Sequence, residues 1–259
     1  MTDDKDRAPA VTRAFTVLSA LAQGGPSVLA DIVEKTGINK STVFYILRTL
    51  TALEAVDYDE RMRTYRLGPA LLELGAAASS QFGELSLARR YLGELLERLM
   101  ATIVIYRRVS TEEISLLDKL ERPNRVRITL QPGERIPIQG GSFGRAFLAY
   151  EDPASLEVIL RHGLQAFTPK SLTDVAAFRQ ELDLVRERGW AVDHEGYALG
   201  ISTVAAPIFD ADGRVTLVVA AVGFSNLIDD DTAAEYGVEL RQVCDRIGEA
   251  NAQSRQLSR

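Results

Sequence analysis

The sequence contains one cysteine and two histidines among its 259 residues. The single thiol, Cys244, excludes a disulfide within one chain and a metal site built from a cysteine cluster. The histidines, His162 and His194, supply few nitrogen ligands for a zinc site. Asp193 and Glu195 flank His194, and of these three only the two carboxylates would share one face of a strand. Metal binding is therefore the less favoured interpretation, and we expect neither a metal nor a cofactor.

Long apolar runs are also missing. A membrane-spanning helix needs ~18 or more consecutive apolar residues, and no segment approaches this length. Residues 1–7 are polar and lack the apolar stretch of a signal peptide. With 46% hydrophobic and 25% charged residues, the composition predicts a cytoplasmic globular protein with one or two domains.

The sequence has no excess of positive charge. Its net charge is −6, and its isoelectric point is about 5.2. Residues 1–80 contain 9 Lys and Arg against 10 Asp and Glu, and residues 81–259 contain 21 against 26. Neither part is basic, so any surface that binds nucleic acid must be a local one.

Residues 29–50 are the most informative segment. Two short stretches with apolar residues at helical spacing are separated by Gly37, which suits the left-handed position after a helix. Ser27 is expected to cap the first helix. The second stretch begins with polar residues at 39–42 and continues with an apolar stripe. This layout predicts a helix-turn-helix whose second helix reads the major groove of DNA.

Residues 56–67 form two short alternating runs around a charged middle. They predict a β-hairpin with its tip near residues 59–63, and a hairpin in this place is typical of a wing. The predicted DNA contacts are the polar and basic side chains off the apolar stripe and at the hairpin tip: Lys40, Ser41, Thr42, Tyr45, Arg48, Thr49, Arg61 and Arg63. A helix pair that only packs is less favoured, because stripe, wing and local charge occur together.

The rest of the chain predicts a linker helix followed by an α+β domain. Gly68 and Pro69 end the hairpin, and proline suits the first turn of the alanine-rich helix that follows. Further helices are predicted over residues 82–100, 142–150, 153–162, 173–188 and 230–253. Strands are predicted over residues 102–109, 113–120, 125–131, 136–138, 190–194, 202–209 and 215–224.

Five segments carry a resemblance to a known family: VTRAFTVL at 11–18, GINKSTV at 37–43, TYRLG at 64–68, IPIQGGSFGRAFLA at 136–149 and RGWAVDHEGYALGISTVAAPI at 188–208. In these segments, in this order, the chain resembles the IclR-type bacterial transcriptional regulators over about residues 9–252. The resemblance implies a winged helix-turn-helix DNA-binding domain at residues 9–67, a linker helix at 68–80 and a GAF-like effector-binding domain at 81–259.

The resemblance also implies partners and a function. Such proteins are usually dimers or dimers of dimers that bind palindromic operators in double-stranded DNA and control genes of small-molecule catabolism. We therefore expect a ligand-responsive regulator, with a repressor favoured. The family often has arginine at the position after the one that matches Phe44, where this chain has Tyr45. A phenol cannot clamp guanine as arginine does, so the operator sequence of relatives does not transfer.

The effector site is likewise implied by the resemblance. Ser142 and Phe143 match positions whose backbone N–H groups face a ligand at a helix start, and Asp193 and Thr203 match positions that bond a small acid in a relative. The predicted effector-binding residues are Ser142, Phe143, Asp193, Thr203, Ala220, Val222 and Tyr197, with Tyr106 and Phe224 as further candidate walls. Ala220 and Val222 match serines in that relative, and Phe143 adds a ring. These departures predict a more apolar ligand, a monoaromatic acid or a related amide or hydrazide.

Two other classes of function are less favoured. An enzyme that uses Ser142 as a nucleophile is disfavoured, because the surrounding glycines do not form a nucleophile elbow and no histidine has an assignable role. A DNA-binding protein that takes no ligand is the second alternative. Thermal stabilisation by aromatic acids or hydrazides would distinguish it from a ligand-responsive regulator.

Overall fold

The computed structural model describes residues 8–81, 83–122 and 128–257. The chain divides into two compact units, Met1–Phe82 and Gly83–Arg259. We call them the amino-terminal unit and the carboxyl-terminal unit. Among the described residues, no helix is both long enough and apolar enough to cross a membrane.

The amino-terminal unit consists of helices around a small core, followed by a hairpin and a further helix. Its elements are α1 (Pro9–Gly24), α2 (Leu29–Thr36), α3 (Lys40–Ala52), β1 (Val56–Asp59), β2 (Thr64–Leu67) and α4 (Pro69–Gln81). The buried core is made by the apolar stripes of the first three helices and the start of the hairpin: Val17, Leu21, Ile32, Val43, Leu47, Leu50, Ala55 and Val56. The predicted helix-turn-helix and wing are confirmed.

The connections of this unit show one correct and one wrong prediction. Gly37 follows α2 with φ 65° and ψ 8°, the left-handed geometry that was expected. Ser27 does not cap α2, because Val28 holds that position. The Ser27 backbone instead pairs with Tyr65, through N···O distances of 3.0 and 2.9 Å. This pairing joins the α1–α2 connection to the second strand of the hairpin.

The carboxyl-terminal unit is built on one six-stranded antiparallel sheet with the order β5-β4-β3-β8-β7-β6. The strands are β3 (Thr102–Arg108), β4 (Glu113–Leu120), β5 (Arg135–Pro137), β6 (Ala191–His194), β7 (Ile201–Phe209) and β8 (Val215–Phe224). The helices are α5 (Gly83–Leu96), α6 (Gly141–Leu148), α7 (Pro153–Leu160), α8 (Val175–Arg188) and α9 (Asp230–Leu257). The α+β class expected from the sequence is confirmed.

Helices cover both faces of this sheet. The side chains of Val204 and Ala206 on β7 belong to a core shared with α5 and α9. Ala205, between them, belongs to a second core shared with α6, α7 and α8. Because alternate residues of a strand point to opposite faces, β7 is buried along most of its length.

Two predicted elements differ from the structure. The strand expected at residues 125–131 lies partly outside the described residues, and its described part, residues 128–131, is not a strand. The helix expected to reach residue 100 ends at Leu96. There the guanidinium of Arg122 donates to the carbonyl oxygens of Leu96 and Leu99, at 2.7 Å each, which satisfies carbonyls that a helix end leaves free.

Candidate functional sites

The first turn of α3 is fixed by its cap residue, Asn39. The Asn39 side-chain oxygen accepts hydrogen bonds from the Thr42 N–H at 2.9 Å and from the Ser41 hydroxyl at 2.8 Å. An asparagine cap satisfies a backbone amide that the helix itself cannot pair. Because the Ser41 proton is donated to the cap, the Ser41 oxygen is left to act as an acceptor toward a bound molecule.

The face of α3 opposite its core is open to solvent. Val43 and Leu47 are fully buried, whereas the side chains of Tyr45 and Phe44 are 64% and 45% exposed. Of the α3 residues predicted to contact DNA, Thr42 is half-buried, and the exposed ones are Lys40, Ser41, Tyr45, Arg48 and Thr49. Phe44 was not among the predicted contacts. The sequence feature that could have identified Phe44 as a contact is its position next to Tyr45 and outside the apolar stripe.

The hairpin tip is held by Asp59. Its carboxylate accepts the N–H groups of Arg61 and Met62 at 2.9 and 3.0 Å. Arg63 closes the turn in the left-handed region, with φ 54°. Both arginines at the tip are exposed, as expected for a wing that contacts the DNA backbone.

The basic residues predicted to contact DNA differ from the paired arginine of the same hairpin. The four predicted basic contacts form no ion pair among the residues that the structure describes: Lys40, Arg48, Arg61 and Arg63. Arg66, on the second strand of the same hairpin, is held by Asp57 at 2.5 Å. The reading helix and the wing tip therefore carry unpaired cations that phosphates would neutralise.

In the carboxyl-terminal unit, strand pairing aligns three of the predicted effector residues. Asp193 on β6 lies opposite Thr203 on β7, and Thr203 lies opposite Val222 on β8. Directly paired residues share a face of the sheet. Ala220 lies on this face as well, in the core that contains α6.

Helix α6 covers this row of residues and contributes Ser142. The hydroxyl oxygens of Ser142 and Thr203 lie 2.7 Å apart, and both side chains are buried. Gly140 caps the helix, so the N–H groups of Ser142 and Phe143 fall in its first turn, where no intrahelical partner exists. Within the described residues the Ser142 hydroxyl bonds to a threonine, whereas a catalytic serine bonds to an adjacent base.

Arg145, on the next turn of α6, was not predicted from the sequence. Its Nη2 donates to Asp193 Oδ1 at 2.8 Å and to the Val192 carbonyl oxygen at 2.5 Å. The other carboxylate oxygen of Asp193 accepts the Tyr197 N–H at 3.0 Å. The Nε of Arg145 is buried and has no acceptor within the described part of the chain. The sequence feature that could have identified Arg145 is a single charged residue within an otherwise apolar helix.

Glycines allow α6 to approach its neighbours closely. A Cβ atom at Gly144 would lie 1.8 Å from the carbonyl oxygen of Ile138, and one at Gly140 would lie 2.7 Å from the ring of Tyr197. Neither position has room for a side chain. These contacts hold the start of the helix against the segment before it and against Tyr197.

A cluster of aromatic rings begins at Phe143, the residue after Ser142 on α6. Phe143 lies with its ring centroid 4.9 Å from that of Tyr106 and 5.3 Å from that of Tyr197, and Phe167 lies 5.0 Å from Tyr197. Phe143 is only 3% exposed. Burial raises the pKa of both tyrosine phenols, so they stay protonated at neutral pH. The predicted site therefore combines the polar groups of Ser142, Thr203, Arg145 and Asp193 with a neighbouring aromatic cluster.

A cavity of about 160 Å³ adjoins this row at Val222. Its walls include Met100, Thr102, Phe224 and Leu227. Thr102 pairs directly with Val222. The cavity therefore begins one strand away from the Thr203 position, at about the 4.8 Å spacing of neighbouring strands. A cavity of this volume is about large enough for a benzene ring.

Comparison with known proteins agrees with both units. Residues 10–60 match the IclR helix-turn-helix domain, and residues 78–249 match the bacterial transcriptional regulator IclR C-terminal domain. The HTH-type transcriptional repressor AllR of Escherichia coli K12 is 29% identical over 245 residues, covering 94% of this chain and 90% of AllR.

Solved structures show the same fold. The IclR transcriptional regulator of Alicyclobacillus acidocaldarius is 34% identical, with a TM-score of 0.86 over 93% of this chain and 98% of that one. An IclR homologue from Microbacterium hydrocarbonoxydans, complexed with 4-hydroxybenzoate, has a TM-score of 0.80 at 20% identity, over 95% of this chain and 99% of that one. On the strength of the two matched domains, this chain belongs to the IclR family, as a non-enzymatic, ligand-responsive, DNA-binding transcriptional regulator.

Proposed function

We propose that this chain is a repressor whose operator binding is controlled by a monoaromatic acid or a related amide or hydrazide. The observation that carries the effector class is the cluster of aromatic rings formed by Tyr106, Phe143 and Tyr197, which begins at the residue after Ser142. Ligand pockets combine apolar walls with a few convergent polar groups. Repression is inferred from the similarity to AllR, which is a repressor.

The polar groups at this site suit a carboxylate or carbonyl oxygen. The N–H groups of Ser142 and Phe143 lie in the first turn of α6, where negative charge is favoured. The Nε of Arg145 is a buried donor without an acceptor, and a ligand oxygen would satisfy it. Val222 and Ala220 offer methyl groups rather than hydroxyls, so the rest of the ligand is apolar.

Thermal unfolding with small aromatic ligands tests the effector class. Benzoate, 4-hydroxybenzoate, benzamide and benzohydrazide are suitable probes. At a concentration of 100 times Kd, a ligand stabilises the native state by about 2.7 kcal/mol, a readily measured shift in Tm. Thr203→Val should abolish the shift, whereas Thr216→Val, farther from the site on β8, should keep it. If no probe shifts Tm, a regulator without an aromatic effector is favoured.

DNA contact is assigned to the exposed face of α3 and to the wing tip. The residues proposed to bind the operator are Lys40, Ser41, Thr42, Tyr45, Arg48, Thr49, Arg61 and Arg63. Duplexes selected from a random library by the full-length protein would give the operator. A reporter promoter that carries the selected duplex should be silenced by the protein and released by the effector. Induction in the absence of effector would instead indicate an activator.

A homodimer, alone or paired into a tetramer, is proposed for the active species. Exposed apolar side chains on α1 and α4 support self-association, because each of them is more than half exposed: Val11, Phe15, Leu72 and Leu74. We propose that α4 transmits effector binding to the spacing of the two wings. Sedimentation of Phe15→Ser and Leu72→Ser should show a lower mass than the parent protein. An unchanged mass would place the interface elsewhere.

A further inference from the structure

A shallow depression lies on the exposed side of α3. It is lined by Leu29 from α2 and by Lys40, Ser41, Phe44 and Tyr45. The rings of Phe44 and Tyr45 stand edge to face, with centroids 5.9 Å apart and an angle of 68° between their planes. The floor of the depression is therefore apolar, although the helix face around it is polar.

Phe44 does not belong to the core of the unit. Val43, its neighbour in the chain, is fully buried, whereas 45% of Phe44 is exposed. The exposed ring shares the helix face that carries Ser41, Tyr45 and Arg48, all of them open to solvent. In a helix-turn-helix this is the face that enters the major groove. The ring of Phe44 would then be covered by base edges.

The major groove offers one distinctive apolar feature, the C5-methyl group of thymine. Phenylalanine is among the side chains that contact this methyl group, while hydrogen-bonding side chains read the other base edges. The unpaired cations of Lys40 and Arg48 lie on the same helix and suit the phosphates on either side. The apolar ring and the two cations therefore match a thymine methyl group with DNA phosphates on either side.

We propose that the depression between Phe44 and Tyr45 reads the C5-methyl group of a thymine in each operator half-site. This assigns Phe44 as a residue that determines specificity. The thymine methyl group would be the apolar partner of its ring. The inference requires the reading helix to enter the major groove, but it does not depend on the effector or on the sign of regulation.

Deoxyuridine substitution tests the inference, because uracil differs from thymine only by the missing methyl group. Duplexes are first selected from a random library with the full-length protein, and each fixed thymine is then replaced by deoxyuridine. At one position per half-site, we expect affinity to fall about fourfold for each methyl group removed, the effect of burying one methyl-sized group. Equal affinity for thymine and uracil at every fixed position would overturn the proposal.

Variants connect the effect to Phe44. Phe44→Ala should bind the thymine and uracil duplexes equally, with the salt dependence of binding unchanged because no charge is removed. Leu53→Ala, which removes a 63% exposed apolar side chain at the end of α3, should keep the full discrimination. Because Phe44 is partly exposed, thermal unfolding should show that the variant folds. Discrimination that persists in Phe44→Ala, or a selected library without fixed thymines, would contradict the assignment.

Discussion

Arg145 and Asp193 form an ion pair at 2.8 Å in which both side chains are more than nine-tenths buried. The pair connects α6 to the edge strand β6. A second arginine bond, to the Val192 carbonyl, and the Tyr197 N–H at the carboxylate complete the arrangement. Buried charges persist in proteins when they are paired and hydrogen-bonded in this way.

Removal of one partner should be far more damaging than removal of both. Arg145→Met leaves the Asp193 carboxylate buried without its cation, and we expect a loss of about 3–5 kcal/mol in the free energy of unfolding. The double variant Arg145→Met/Asp193→Leu should recover much of this loss, since an apolar pair can replace a buried ion pair. Denaturant titration of the two variants gives the comparison. If the double variant loses as much free energy of unfolding as Arg145→Met, the prediction is wrong, and the ion pair itself stabilises the fold.

Gly144 should not tolerate even a methyl group. The Cβ of Gly144→Ala would lie 1.8 Å from the Ile138 carbonyl oxygen, so either the helix or the turn that contains Ile138 must move. We expect a loss of several kcal/mol, on the order of the cost of overpacking. Gly93→Ala is the matched control in α5, because nothing lies within 4 Å of its added Cβ. It should raise stability by up to about 1 kcal/mol. Similar thermal shifts for the two variants would contradict this explanation.

The thiol of Cys244 should not react with disulfide reagents in the native protein. Its side chain is buried, its thiol lies 3.6 Å from the Ala206 carbonyl oxygen, and burial raises the pKa of the thiol. Only the thiolate reacts with disulfide reagents. We expect no reaction with Ellman's reagent under native conditions and one thiol per chain after unfolding in guanidinium chloride. Fast labelling of the native protein would contradict the buried position.

The same thiol makes stability depend on pH. An unfolded cysteine ionises near pH ~8.5, whereas Cys244 remains protonated in the folded state because burial raises its pKa. The native state therefore holds more protons above this pH, and stability falls as the pH rises. The contribution is about 1 kcal/mol between pH 8 and pH 9.5. Cys244→Ala should show a correspondingly smaller decrease over this range.

The two arginines of the hairpin should differ in their effect on DNA binding. Arg61 lies at the tip without an ion pair among the described residues, whereas Arg66 is held by Asp57. Arg61→Ala should weaken binding to selected and unselected duplexes alike and reduce the salt slope by about one unit, as expected when one phosphate contact is lost. Arg66→Ala is the control and should leave the slope unchanged. Binding isotherms at several salt concentrations measure both.

Much of the fold was predictable because its signals are local. The apolar periodicity of α3 and the left-handed position of Gly37 depend only on neighbouring residues, and both are confirmed. Ser27 was wrongly predicted as a helix cap because its partner, Tyr65, is distant in the sequence. Local rules cannot show that a remote strand will pair with a residue that would otherwise cap a helix.

The effector site was predictable only in part, for a similar reason. Ser142, Asp193 and Thr203 were named from segments that resemble a family, and the structure brings them together, but their role in ligand binding stays a prediction. Arg145 was missed because its burial arises from strand register and helix packing. A single arginine within an apolar helix does not reveal whether it will be solvated or paired.

The pairing of Ser27 with Tyr65 has a mechanical consequence for DNA binding. The Ser27–Tyr65 hydrogen bonds connect the hairpin to the segment before α2. A further hydrogen bond, from the Gly68 N–H to the Ala55 carbonyl oxygen at 2.9 Å, joins the two ends of the hairpin. Because these bonds tie the second strand of the wing to the segment before α2 and close the base of the hairpin, they restrict the movement of the wing relative to α3. We expect a wing held in this way to adjust little to the width of a groove, so that the operator deforms to fit it. Base pairs that the protein never touches then influence affinity through their stiffness.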